Sequence, residues 1–148
     1  MGSIALPPSG SIYLDANALI YSVETHPTYW PLLDPVWRAA RAGRIQFVVS
    51  ELSLLEVLVM PLRKGDVTLV TGYERVLASP EFTVYPIATG VLRRAAELRA
   101  AIPGLRTPDA IHAATALLNP PFAFLTNDPD FRKVPGLPVT VLSDLLTP

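Results

Sequence analysis

Hydrophobic residues along the chain follow two patterns that alternate with each other. Five short runs are continuously apolar, which is typical of strands buried on both faces of a sheet. These predicted strands are Ser11–Leu14, Ile45–Val49, Phe82–Tyr85, Phe122–Leu125 and Val139–Leu142. The stretches between them carry apolar residues at helical spacing. The predicted helices are Ala18–Glu24, Leu32–Ala42, Glu51–Lys64, Val67–Ala78, Val91–Ala101 and Pro108–Leu118.

The alternation of strands with helices predicts an α/β fold. Right-handed crossovers would place the helices on both faces of a central, mainly parallel five-stranded sheet, in three α/β/α layers. A chain of 148 residues, half of them hydrophobic, suits one domain with one buried core. We expect a flexible leader over residues 1–10, where Pro7 and Pro8 are flanked by glycine and serine, and a single domain over residues 11–148.

Composition narrows the chemistry that the chain can perform. The absence of cysteine excludes disulfides, thiolate catalysis and cysteine-based zinc sites, and two histidines are too few for a histidine-built metal site. A bound metal would therefore have oxygen ligands. Because the chain has 12 basic and 13 acidic residues, its net charge is close to zero, and any nucleic-acid contact must come from a local basic patch. The sequence has no apolar run long enough to span a bilayer and no pattern of a secretory signal at its start, so we expect a cytoplasmic protein.

Four acidic residues lie where an α/β sheet carries its working site, beyond the carboxyl ends of the strands. Asp15 directly follows the first predicted strand, and Asp128 follows the fourth after two residues. Asp109 lies in the first turn of the last predicted helix, and Glu56 lies on an apolar face of the third. Carboxylates about 5 Å apart repel by roughly 3 kcal/mol per pair at an effective dielectric near 20. Their convergence would favour a bound magnesium or manganese ion.

Each of these acids also has an ordinary structural explanation when it is taken alone. Aspartate is common in turns and in the first turn of a helix, and glutamate is common at the solvated edge of an apolar stripe. Two further acids, Glu51 and Asp144, pass the same positional test, and we interpret both as helix-terminus acids. The hypothesis to be tested with a structure is therefore that the four acidic side chains lie close together.

Four segments carry a family resemblance, in the order YLDANALI from Tyr13, SELSLLE from Ser50, TPDAIHAATA from Thr107 and LTNDPDF from Leu125. Together they resemble the signature segments of PIN domains, and of VapC-like toxin ribonucleases in particular. The resemblance spans roughly residues 12 to 146, and its last two segments are the most specific. It implies a PIN-like version of the three-layer α/β/α fold.

The resemblance also implies which residues form the site. By position, the family's acidic quartet corresponds to Asp15, Glu56, Asp109 and Asp128. Asn17 and Thr126 correspond to small polar residues beside the metal. Asp130 lies close enough to Asp128 in the sequence to exchange with it. Arg106 is the best candidate for contact with a phosphate. A lone histidine in an alanine-rich helix is more often a packing or satisfied polar residue, so we leave His112 out of the site.

The function implied by the resemblance is that of a metal-dependent endoribonuclease, the toxin of a toxin–antitoxin pair. Such an enzyme hydrolyses RNA phosphodiester bonds with a water molecule activated by Mg²⁺ or Mn²⁺. The resemblance also implies a homodimer and an antitoxin that inserts a basic or aromatic segment into the acidic cleft. Three aromatic residues are candidates for partner contacts or for core packing, namely Tyr29, Trp30 and Trp37.

Two other functions fit parts of the same pattern. A PIN-like scaffold could bind RNA or a partner without cutting it. A magnesium-dependent phosphatase also places an aspartate after its first strand, but that chemistry usually needs Asp-X-Asp, and Asn17 stands at the second position here.

Overall fold

The computed structural model describes residues 1–146 and has a central sheet in which every strand pair is parallel. Its strands are β1 (Gly10–Leu14), β2 (Ile45–Ser50), β3 (Phe82–Tyr85), β4 (Ala123–Thr126) and β5 (Val139–Val141). They lie in the order β3-β2-β1-β4-β5. The predicted five-stranded sheet is confirmed, and it is fully parallel.

Six α-helices connect and flank these strands within residues 1–146. They are α1 (Ala16–Val23), α2 (Trp30–Arg41), α3 (Leu52–Lys64), α4 (Val67–Leu77), α5 (Thr89–Ala101) and α6 (Thr107–Leu118). Short 3-10 helices follow β4 at Pro129–Lys133 and β5 at Leu142–Leu146. In this part of the chain, no helix combines the length and the apolar character needed to cross a bilayer.

The core has two halves, one on each face of the sheet, because neighbouring residues of a strand point to opposite faces. In β1, Ile12 and Leu14 pack with α1, α2 and α4, whereas Tyr13 packs with α5 and α6. The predicted three-layer α/β/α arrangement is therefore confirmed. Trp37 belongs to the first half, where its ring lies 4.7 Å from that of Phe47, so core packing accounts for it.

Helix α6 lies close against the sheet because small side chains form its inner face. Four alanines there are almost fully buried, namely Ala110, Ala113, Ala114 and Ala116. Such residues let a helix approach its neighbours closely. The same face carries His112, which is thereby brought against Tyr13 of β1.

The first residues of the chain lie against its last described ones. The Gly2 amide donates a hydrogen bond to the Leu145 carbonyl over 2.7 Å. Ile4 is buried and joins the first half of the core. Residues that precede β1 therefore contribute apolar contacts to the domain.

Candidate active site

Asp15 is buried at the junction between β1 and α1, and its carboxylate has several hydrogen-bond donors. Oδ1 accepts from the Ala16 amide at 2.9 Å, which caps α1. Oδ2 accepts from the Thr126 hydroxyl at 2.7 Å and from the Asn17 amide group at 3.2 Å. Burial raises the pKa of Asp15, and the positive charge of His112 and these hydrogen bonds offset only part of that rise. The structure therefore places both predicted supporting residues, Asn17 and Thr126, directly on Asp15.

Thr126 and Asn127 tie the end of β4 to the beginning of α1. The Thr126 hydroxyl that donates to Asp15 also accepts from the Asp128 amide at 3.0 Å. The Asn127 amide donates to Asn17 Oδ1 at 3.0 Å. The Asn127 side chain further contacts the Tyr29 hydroxyl at 3.0 Å, a connection that the sequence did not indicate. This network fixes the positions of the residues that surround Asp15.

Glu56 lies in the second turn of α3 and reaches toward the sheet. Its Oε1 is 2.5 Å from His112 Nε2, and 28% of its side-chain surface is exposed. The Asp15 and Glu56 carboxylates are near enough for the charge of Glu56 to raise the pKa of Asp15. These two acids of the predicted quartet therefore form one interacting pair.

His112 is buried between the first two acids, although sequence reasoning left it out of the site. Its Nε2 lies 2.5 Å from Glu56 Oε1 and 3.8 Å from Asp15 Oδ1, and its Nδ1 lies 2.6 Å from the Tyr13 hydroxyl. Burial lowers the pKa of His112, but the hydrogen bond to Glu56 and the charges of Asp15, Glu56 and Asp109 outweigh it and raise that pKa. His112 is thus the group that electrostatically links three of the four acids.

Asp109 lies in the first turn of α6, as predicted, with 15% of its side chain exposed. Burial raises its pKa, the neighbouring Arg106 guanidinium lowers it, and the charge of Asp128 raises it again. Arg106 Nε is 3.2 Å from Asp109 Oδ2, while 74% of the Arg106 side chain faces solvent. Asp109 and Asp128 therefore form a second interacting pair, with Arg106 at its rim.

Asp128 and its sequence neighbour Asp130 have different surroundings. Asp128 caps the 3-10 helix at Pro129–Lys133, since its Oδ1 accepts from the Asp130 amide at 2.9 Å. The Asp130 side chain lies outside on the surface, where it pairs with Lys133 over 3.4 Å. Asp128 is also linked through its backbone to Thr126. These contacts favour Asp128 over Asp130 as the acid of the site.

The four acids thus meet at one edge of the sheet as two pairs. Within residues 1–146, no three Asp, Glu, His or Cys side chains are arranged so that they could hold one metal ion together. The donor set still suits Mg²⁺, which takes oxygen ligands, keeps several waters and is often held by only one or two carboxylates. Burial and the charges of neighbouring carboxylates also raise the pKa values of Asp15 and Asp109. The positive charges nearby are therefore too weak to stabilise the ionised forms of these two side chains fully. The residues therefore fit a small divalent cation.

Comparison with protein families agrees with the resemblance seen in the sequence. The family model described as PIN domain matches residues 12–137. That range contains every residue of the candidate site. Comparison with curated proteins finds no match for the chain.

Solved structures with a similar fold include toxin–antitoxin complexes. A toxin–antitoxin complex from Klebsiella pneumoniae contains a chain that is 25% identical, with a TM-score of 0.65 and coverage of 87% of this chain and 95% of that one. VapBC2 from Rickettsia felis, bound to a DNA fragment from its promoter, matches at 16% identity, a TM-score of 0.71 and coverage of 88% and 97%. DNA-bound VapBC from Salmonella typhimurium matches at 17% identity, a TM-score of 0.65 and coverage of 88% and 96%. At identities of 16% and 17%, the last two similarities show a shared fold and nothing more.

Proposed function

Since this chain belongs to the PIN domain family, we propose that it is a metal-dependent endoribonuclease that acts as the toxin of a toxin–antitoxin pair. The observation that carries the proposal is the meeting of two carboxylate pairs, Asp15 with Glu56 and Asp109 with Asp128, at the carboxyl edge of a parallel sheet. A fold gains nothing structural from placing like charges together, whereas a cation site requires it.

The four acids are the proposed metal ligands, with Mg²⁺ or Mn²⁺ as the ion. When bound, the ion would lower the pKa of a water molecule and offset negative charge on the reacting phosphate. Thr126 and Asn17 hold the Asp15 carboxylate in one orientation through hydrogen bonds to Oδ2. Supporting contacts of this kind are typical of metal sites, because they remove the freedom of the ligand before binding.

Arg106 is the proposed contact for an RNA phosphate. Its guanidinium is largely exposed and lies beside Asp109, so a phosphate that approaches the acids meets a positive charge at the rim. A water molecule attacks the phosphorus and the bond to the 3′ oxygen breaks, which leaves a 5′-phosphate and a 3′-hydroxyl. This scheme requires no nucleophilic side chain.

The proposed partners are an antitoxin and a second copy of the chain. The solved toxin–antitoxin complexes of similar fold support an antitoxin, whose basic or aromatic segment would enter the acidic edge. For the homodimer contact we propose the outer face of α3, where large apolar side chains are exposed. They are Leu54, Leu55, Val59, Met60 and Leu62. Contiguous exposed apolar side chains commonly mark protein interfaces.

Analysis of reaction products separates this function from the two alternatives. An endoribonuclease of this type converts an end-labelled RNA into fragments with 5′-phosphate and 3′-hydroxyl ends. A binding scaffold shifts the RNA in a gel but leaves it intact. A phosphatase releases inorganic phosphate from a phosphomonoester, and the structure disfavours it because Asn17, at the position of its second aspartate, donates to Asp15 and accepts from Asn127.

A further inference from the structure

We infer that His112 is a positioning residue, which holds one oxygen of Glu56 and leaves the other oxygen of that carboxylate for the cation. This inference rests on the proposed metal-dependent function. His112 reaches Glu56 Oε1 through Nε2 over 2.5 Å. A carboxylate has two oxygens, and one that is fixed by a hydrogen bond can still offer the second as a ligand.

The direction of the hydrogen bonds follows from the chain of contacts behind the imidazole. The Ser50 amide donates to the Tyr13 hydroxyl oxygen over 3.1 Å. In the neutral imidazole the Tyr13 proton is then free to be donated to His112 Nδ1, which is 2.6 Å away, and in the protonated imidazole Nε2 is a donor in any case. His112 Nε2 consequently carries the hydrogen that Glu56 accepts.

This chain of contacts starts at a rigid part of the fold. Ser50 ends β2 and Tyr13 lies inside β1, and both are fully buried. The imidazole is therefore oriented by the sheet and not by a mobile surface group. Glu56, on the more exposed α3, receives its orientation from that imidazole. Without the contact, a glutamate with three rotatable side-chain bonds would lose conformational freedom on binding a cation.

His112 also lies where it can reduce repulsion between the first two acids. Its Nε2 is 3.8 Å from Asp15 Oδ1, which is too long for a hydrogen bond but close enough for attraction between the N–H dipole and the carboxylate. A purely structural role would need only a side chain that fills the space beside Tyr13. The placement of Nε2 toward two candidate ligands points to the site instead.

Two substitutions by amide side chains test the roles of the two imidazole nitrogens separately. The amide oxygen of asparagine can take the place of Nδ1 and accept from Tyr13, but the side chain is too short to reach Glu56, so His112→Asn keeps the partner of Tyr13 and removes the donor to Glu56. The amide nitrogen of glutamine can replace Nε2, so His112→Gln keeps the donor to Glu56. Both variants place a neutral amide at the same buried position. Thr115→Val is the matched control, because Thr115 is equally buried on α6 and its hydroxyl donates to the Ile111 carbonyl.

The readout is Mn²⁺ affinity of the folded protein, measured by loss of the free-ion signal in electron paramagnetic resonance, together with kcat and KM on RNA. We expect His112→Gln and Thr115→Val to bind Mn²⁺ within about threefold of the wild type, and His112→Asn to bind it about 10- to 100-fold more weakly, with kcat reduced more than KM changes. Circular dichroism verifies the fold of each variant. Equal Mn²⁺ affinity of folded His112→Asn and wild type would overturn the inference while leaving the proposed function intact.

A second variant keeps the test decisive if His112→Asn fails to fold. Tyr13→Phe preserves the ring but removes the hydroxyl that orients Nδ1, and we expect its Mn²⁺ affinity to fall at least about threefold. Wild-type affinity in folded Tyr13→Phe would contradict the orienting chain. A wild-type protein that binds no Mn²⁺ at millimolar concentration would instead overturn the proposed function itself, and the inference with it.

Discussion

The Thr126 hydroxyl donates a 2.7 Å hydrogen bond to the Asp15 carboxylate across a sequence separation of 111 positions. The contact arises because β1 and β4 are parallel neighbours, with Leu14 opposite Leu125, so both chains leave the sheet at the same edge. The same hydroxyl accepts from the Asp128 amide. Thr126 therefore couples an acid of the first carboxylate pair to the backbone of an acid of the second.

Replacing this hydroxyl tests its role in the site. Thr126→Val keeps the shape of the side chain but leaves Asp15 Oδ2 and the Asp128 amide without this partner. We expect the free energy of unfolding to fall by about 1–3 kcal/mol and kcat/KM for RNA to fall about 10- to 100-fold. Urea unfolding and cleavage assays measure both. Thr115→Val is the control, because Thr115 is equally buried and its hydroxyl bonds to the Ile111 carbonyl, not to an acid. It should lose stability without a comparable loss of cleavage. Parallel losses in both variants would show that Thr126 has only a structural role.

Asp15→Asn should not destabilise the metal-free protein. Asparagine still accepts from the Ala16 amide, and relief of the unfavourable buried charge should offset the loss of the Thr126 and Asn17 bonds to Oδ2, so we expect the same or a higher Tm in chelator. Saturating Mg²⁺ or Mn²⁺ stabilises the wild type, by about 2.7 kcal/mol at 100 times Kd, and should stabilise the variant much less. Thermal unfolding with and without metal measures this. Equal shifts in the two proteins would contradict a shared metal site.

The metal-free protein should become more stable on mild acidification. The pKa values of Asp15, Asp109 and His112 are all raised by folding. Each group therefore binds its proton more tightly in the folded state. Its contribution to the free energy of unfolding is complete below its unfolded pKa, which is about 4 for Asp and about 6.5 for His. That contribution is lost as the pH rises through the folded pKa. We expect the free energy of unfolding in chelator to rise as the pH falls from about 8 to about 6 through the raised pKa of His112, and to rise less in Asp15→Asn, because the charge of Asp15 helps to raise that pKa. Chemical unfolding across this range measures it, and a wild-type value that falls instead would contradict the raised pKa values.

The exposed face of α3 gives a prediction about assembly. Leu55 has 62% of its surface exposed, so Leu55→Glu should leave the fold of one chain unchanged while opposing a dimer that buries this face. We expect light scattering to show a dimer for the wild type and a monomer for the variant. Leu118→Glu is the control, since Leu118 is exposed at the end of α6. A variant that remains a dimer would show that the dimer contact is not formed by this face of α3.

The sequence could predict the sheet and its edge because both depend on local patterns. Continuous apolar runs indicated the strands, and an acid directly after a parallel strand must lie at its carboxyl edge, as Asp15 does. Contacts between residues that are far apart in the sequence could not be predicted in this way. His112 lies 99 positions from Tyr13 and 56 from Glu56, and nothing local to an alanine-rich helix reveals those contacts. The division of the acids into two pairs likewise depends on side-chain orientation.

Asp130 illustrates the same limit over a short distance. It stands two positions after Asp128, and the sequence left the two interchangeable. The structure separates them because the 3-10 helix that begins at Pro129 directs Asp130 toward Lys133 on the surface, while the Asp128 amide stays bonded to Thr126. Helix geometry after the strand end gives the two aspartates different surroundings, which residue type alone did not indicate.

Cleavage of RNA by the wild type and by Asp109→Asn, each with Mg²⁺ or Mn²⁺ and with excess chelator, tests the central claim most directly. Asp109→Asn removes a carboxylate charge with almost no change of volume, and circular dichroism verifies that the variant is folded. We expect the wild type to cut RNA with metal, to stop in chelator and to recover when metal is restored, and the variant to show no cleavage. Cleavage that survives thorough chelation, or a variant that cuts at the wild-type rate, would contradict the account.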